Sequence, residues 1–191
     1  MRRGGKTVGC LIAVLGVLMG TAGGSEGPQQ ICYARTYDPA HLAQHPRQQV
    51  TEISLAVAAR PSQNQDAALR FPFVLSAKIR GRQEVLSLGG ECGFADADGM
   101  EVNMPAAATL LQPDAVIKCG LDNESGRITL QRRNKGAAAL LKLEELQHLV
   151  LRGACGDGSC TYDLMSGPDD QTFLMSRTAD AVCARRATGI K

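Results

Sequence analysis

The densest local signal in this chain is Cys155-Gly156-Asp157-Gly158-Ser159-Cys160. Asp-Gly favours the type I′ turn of a two-residue β-hairpin. With Asp157-Gly158 at the tip, Gly156 faces Ser159 and Cys155 faces Cys160. Such a non-hydrogen-bonded pair has Cα atoms about 4.5 Å apart, within disulfide range. Four residues separate the two cysteines, against two in a thioredoxin-type redox pair. A structural hairpin staple is therefore expected.

His41 and His45 stand four residues apart, the spacing that puts two imidazoles on one helical face and can hold zinc or copper. The glutamate that follows the first histidine of a zinc-protease helix is missing. A third ligand would have to come from His148 or an aspartate brought near by folding. Asp96-Ala97-Asp98-Gly99 with Glu101 has the opening of a calcium loop but lacks its later acidic positions, so a plain turn is expected. Asp169-Asp170 after Gly167-Pro168 reads as a solvated turn. Met100, Met104, Met165 and Met175 sit at strand spacing and read as core packing. Arg132-Arg133 and Arg185-Arg186 read as solvated surface. There is no Gly-x-Ser-x-Gly elbow, no Ser-x-x-Lys and no phosphate loop. With no tryptophan and 4% aromatics, a carbohydrate site of stacked rings is disfavoured. No catalytic, cofactor or metal residue is assigned.

The compartment follows from the first 22 residues. Arg2, Arg3 and Lys6 form a positive segment, Val8 to Met19 an apolar run, and Gly20-Thr21-Ala22 a small-residue cleavage site. The run is shorter than the roughly 20 residues that span a bilayer. Residues 1–22 thus read as a signal peptide and 23–31 as a flexible leader. Residues 32–191 read as a single disulfide-bonded β-rich domain. No membrane span is expected after cleavage, and the location is periplasmic or secreted. Of seven cysteines, Cys10 leaves with the signal and six remain, an even set suited to an oxidising compartment. Besides Cys155–Cys160, four cysteines allow three pairings. Cys92 with Cys119 brackets one strand-loop unit, and Cys32 with Cys183 joins chain ends, which often lie close together. Loss of Arg2, Arg3 and Lys6 lowers the formal net charge of +2 by three, to −1. That is no footprint for nucleic acid.

The elements that would position these residues are mainly strands. Asp38 as N-cap and Pro39 at the first helical position open a short helix that His45-Pro46 ends. Ile53, Leu55 and Val57 alternate over 50–58. Phe71, Phe73, Leu75, Ala77 and Ile79 alternate over the next run, which turns at Gly81-Arg82 into 85–88. Short strands follow at 100–104, 116–121, 127–132, 162–165 and 172–176, with a helical turn at 106–111 and another at 179–185. Residues 137–151 contain good helix formers. Two strands about a Glu144-Glu145 corner continue the chain path more simply, with Asn134-Lys135-Gly136 as a hairpin loop. The fold class expected is all-β and mainly antiparallel, a small sandwich or barrel with short peripheral helical turns.

Cys32-Tyr33-Ala34-Arg35, Tyr37-Asp38, Ala40-His41-Leu42 and His45-Pro46 together resemble the opening of a group of small exported proteins from Gram-negative bacteria. Gly89-Gly90 before Cys92, and Phe173-Leu174, Arg177 and Val182-Cys183, are similar to later stretches of that group. The resemblance implies export and a β-rich, disulfide-bearing fold. It carries over no activity and no catalytic residue. The chain departs from the group after Cys119, where only Asp122 and Gly126 stand in for a denser acidic-glycine turn. The function expected is a non-catalytic exported domain that binds an envelope or extracellular partner or supports the cell envelope, for example by inhibiting an envelope-attacking hydrolase. The rivals are a periplasmic enzyme with a dispersed site and a metal carrier using His41 and His45. No cofactor is expected.

Overall fold

The computed structural model describes residues 30–58, 70–95, 115–121, 126–143 and 148–187, with the side chains of 94, 95 and 185–187 excepted. Ten strands run in the order β1 (Gln30–Thr36), β2 (Val50–Ala58), β3 (Phe71–Ile79), β4 (Val85–Ala95), β5 (Val116–Leu121), β6 (Arg127–Arg133), β7 (Ala138–Leu143), β8 (His148–Cys155), β9 (Gly158–Met165) and β10 (Thr172–Thr178). Helix α1 (Pro39–Gln44) joins β1 to β2, and α2 (Asp180–Ala187) follows β10.

β1 to β7 form an antiparallel meander, and β10 enters between β7 and β1. The pairing of β3 with β4 completes a closed barrel of eight strands. Closure removes the exposed edges that an open sheet would present. The expected all-β, antiparallel class is borne out, in its barrel form. β8 and β9 are an excursion from this wall. Their hairpin pairs with β4 at Ser87–Arg152, on the edge that β4 elsewhere shares with β5.

Alternation builds the core. Ile31 and Tyr33, Ile53 to Val57, Phe71 to Ile79, Leu86 and Leu88, Ile128 and Leu130, Leu141 and Leu143, and Phe173 and Met175 bury every second residue of their strands. An eight-stranded barrel is just wide enough for side chains to fill it, and these do. The inner face of the β8–β9 hairpin adds Leu149, Leu151 and Leu164 to the same cluster. Helix α2 packs outside, across β1, β2 and β3.

Three disulfides are present. Cys32–Cys183 ties β1 to α2. Cys92–Cys119 joins directly opposed residues of β4 and β5 inside the barrel, with Cα atoms 3.9 Å apart. Cys155–Cys160 staples the β8–β9 hairpin.

Several local expectations need correction. The hairpin tip is Gly156-Asp157: Cys155 pairs with Gly158 and Cys160 with Gly153. Cys155 and Cys160 are therefore diagonal neighbours, 5.6 Å apart at Cα, not opposed ones. Gly156 at φ +55 occupies the first turn position, as in a type II′ hairpin. Likewise the β3–β4 turn centres on Arg80-Gly81, with Arg82 N–H donating to Ile79 O at 3.0 Å and Gly81 at φ +77. Gln30 and Ile31 belong to β1, and Ile31 is core, although they read as leader. Arg132 is buried beside the Tyr33 hydroxyl, to which its Nε donates at 3.2 Å, whereas Arg133 is exposed. Met175 is core but Met165 is 55% exposed. Within 137–151, residues 138–143 and 148–151 fold as strands. The signal, the acidic turn at 96–101, the strand at 100–104, the helical turn at 106–111 and the Glu144-Glu145 corner lie outside the described residues.

Candidate functional site

A half-open cleft of about 290 Å³ lies at the α1 end of the barrel, walled by the end of β1, by α1, by the β9–β10 loop and by the start of β10. It is lined by Arg35, Tyr37, His41, His45, Gln48, Pro168, Asp169, Thr172 and Leu174.

Helix capping sets its first wall. The Asp38 carboxylate accepts from His41 N–H at 2.8 Å, and Pro39 starts the helix without wasting a donor. Tyr37, His41 and His45 follow at intervals of four. Their rings stack, Tyr37 on His41 at 4.7 Å and His41 on His45 at 4.4 Å between centroids. The Arg35 guanidinium lies 5.3 Å from the Tyr37 ring centroid, a cation–π distance.

Gln48 sets which ring nitrogen of His41 donates. The Gln48 amide nitrogen donates to Val50 O at 2.8 Å, so its Oε1 faces His41 Nε2 at 3.0 Å. An amide oxygen only accepts, so His41 Nε2 carries a hydrogen.

The cleft is anchored from outside α1. Arg80 Nη2 donates to Leu42 O and His45 O, each at 3.1 Å, placing a cation at the helix C-terminus where the dipole favours it. Asp170 clamps the other wall. Its carboxylate accepts from Gln49 N–H at 2.5 Å and Val50 N–H at 3.0 Å, joining the β9–β10 loop to the start of β2. Asp170 is 2% exposed, not the solvated turn residue expected. Burial pushes its pKa above the usual carboxylate range; neighbouring Asp169 adds to the rise, while the two backbone donors and Arg80 oppose it. Burial likewise raises the Tyr37 phenol, against the pull of Arg35.

His45 Nδ1 faces Asp169 Oδ1 at 3.5 Å, the one imidazole–carboxylate approach in the cleft. Nucleophilic catalysis would need a hydroxyl hydrogen-bonded to such a base. Neither Tyr37 nor Thr172 hydrogen-bonds His41 or His45. For metal, the two imidazoles lie nearly parallel, 22° apart. His41 Nε2 is engaged by Gln48. His148, the third ligand considered, pairs with Asp163 on the β8–β9 hairpin at 2.9 Å. Among the described residues no group of three or more His, Cys, Asp or Glu is placed to hold an ion. The cleft offers a guanidinium, a carboxylate, further hydrogen-bonding groups, and an apolar rim at Pro168 and Leu174, which is 53% exposed.

The histidine pair was visible in the sequence, and extending its spacing back to Tyr37 would have shown the ring stack. Arg35, Gln48, Asp169 and Thr172 carried no local signal, because chain separations of up to 124 residues are closed only by folding.

Fold and site together define a small, disulfide-bonded, eight-stranded β-barrel with a polar cleft at one end. Comparison of the chain with protein-family models, with curated proteins and with solved structures finds no match.

Proposed function

We propose that this chain is an exported β-barrel domain that acts by binding a protein partner of the cell envelope or extracellular space, with the α1-end cleft as its recognition surface. The observation that carries the reading is the contrast between a lumen filled with apolar side chains and a cleft outside it that gathers both charge signs, hydrogen-bonding groups and an exposed leucine on one rigid frame. A packed barrel has no room for a ligand inside. Exposed polar groups around an apolar anchor are what interfaces use. The six bridged cysteines suit an oxidising compartment, and the sequence of residues 1–22 supplies a route to it. No helix among the described residues is long and apolar enough to cross a membrane.

The test is capture from native envelope extract with the immobilised, disulfide-bonded chain from residue 23 onward. Arg35→Glu and Leu174→Glu should each lose the captured protein while melting like the wild type. Capture that survives both substitutions, or no capture at all, would sink the proposal.

A further inference from the structure

β9 pairs with β8 along eight consecutive residues in unbroken register. On its other side it has no strand partner among the described residues. A hairpin closed by a two-residue turn starts with a hydrogen-bonded pair, here Cys155–Gly158, and the pairs then alternate. Ser159, Thr161, Asp163 and Met165 thus fall at non-bonded positions, and their N–H and C=O groups point away from β8. The same alternation turns the backbone of Arg152 toward β4, where it does meet Ser87. Side chains 159, 161, 163 and 165 are all exposed, whereas 160, 162 and 164 face inward. This edge has no proline and no lysine, two residues that proteins use to block strand addition. The Cys155–Cys160 bridge holds it in shape.

We propose that two copies of this chain pair antiparallel through β9, about a two-fold axis at Tyr162. The observation favouring a second copy is that the edge complements itself. In this register all four outward residues find partners. Thr161 of each copy faces Asp163 of the other, hydroxyl beside carboxylate, and Ser159 faces Met165. No like charges oppose. On the inner face the two Tyr162 rings meet as a cross-strand aromatic pair, each with Arg82 5.1 Å from its ring centroid. One strand edge is smaller than a standard interface of about 1,600 Å², so the pair is a weak, concentration-dependent dimer.

Sedimentation of the exported, disulfide-bonded chain over the micromolar to millimolar range tests this. The wild type should show a monomer–dimer equilibrium. Thr161→Pro removes an outward N–H that β8 does not use, and should weaken the dimer by about tenfold or more without changing the melting temperature. Thr161→Asp sets two aspartates opposite each other and should also weaken it. Thr161→Lys faces Asp163 of the other copy and should tighten it. These two variants keep the test decisive if the proline variant fails to fold. A wild type that stays monomeric throughout, or a dimer indifferent to the Thr161 charge variants, would overturn the proposal.

Discussion

Asp170 shows how one side chain can govern a site without standing in its opening. Its carboxylate holds the backbone of Gln49 and Val50 in place, and so sets one wall against the other. Because its folded pKa is raised, the folded state holds this proton more tightly than the unfolded chain does. Its contribution is then greatest below the unfolded pKa and declines as pH rises through the folded one. Asp170→Asn leaves one of two buried N–H groups without an acceptor, at a cost of about 1–3 kcal/mol, and does not titrate. The melting-temperature advantage of wild type over Asp170→Asn should therefore shrink from pH 3 to pH 7; an advantage that grows would contradict the raised pKa. Gly90 and Gly120 make a second contrast at this scale. A Cβ on Gly90 would strike the Gly120 carbonyl oxygen and Phe73, whereas one on Gly120 meets open space. Gly90→Ala should cost about 1–3 kcal/mol by overpacking, and Gly120→Ala should stay within about 0.5 kcal/mol, both read from denaturant midpoints. Neither Asp170 nor Arg132 could be picked out in the sequence. A carboxylate in an acidic Gly-Pro turn and one arginine of a doublet look solvated until folding covers them.

At the scale of elements, alternation was enough to place β2, β3, β5 and β6, since each buries one face. Register was harder. Moving the β8–β9 pairing by two residues keeps Leu149, Leu151, Tyr162 and Leu164 on the inner face, so alternation cannot tell the two registers apart. The positive φ of Gly156 decides it. The disulfides test what holds the elements together. Cys32–Cys183 spans 151 residues and Cys155–Cys160 spans 5. The loop-entropy model favours the long bridge by about 3 kcal/mol. Thermal melts should show Cys32→Ser/Cys183→Ser losing more than Cys155→Ser/Cys160→Ser. Equal or reversed losses would mean that α2 docks on the barrel without its bridge.

For the whole molecule, the all-β antiparallel class was legible from many short alternating runs separated by turns. Barrel closure was not. It depends on β10 slipping between β1 and β7 after the β8–β9 excursion, and no local pattern encodes that return. The cleft is a product of the same closure, because its walls come from residues 35–48 and 168–174. The proposed export is also tested on the whole chain. Intact mass of the secreted species should show cleavage after or near Ala22, and a membrane-bound species retaining residues 1–22 would contradict it. The central claim, recognition through the α1-end cleft, is most directly tested by hydrogen exchange of the barrel with and without its captured partner. Protection should appear in residues 35–48 and 168–174 and leave the rest of the barrel wall unchanged. Protection confined to the far end of the barrel or to α2, with the cleft unaltered, would contradict the account.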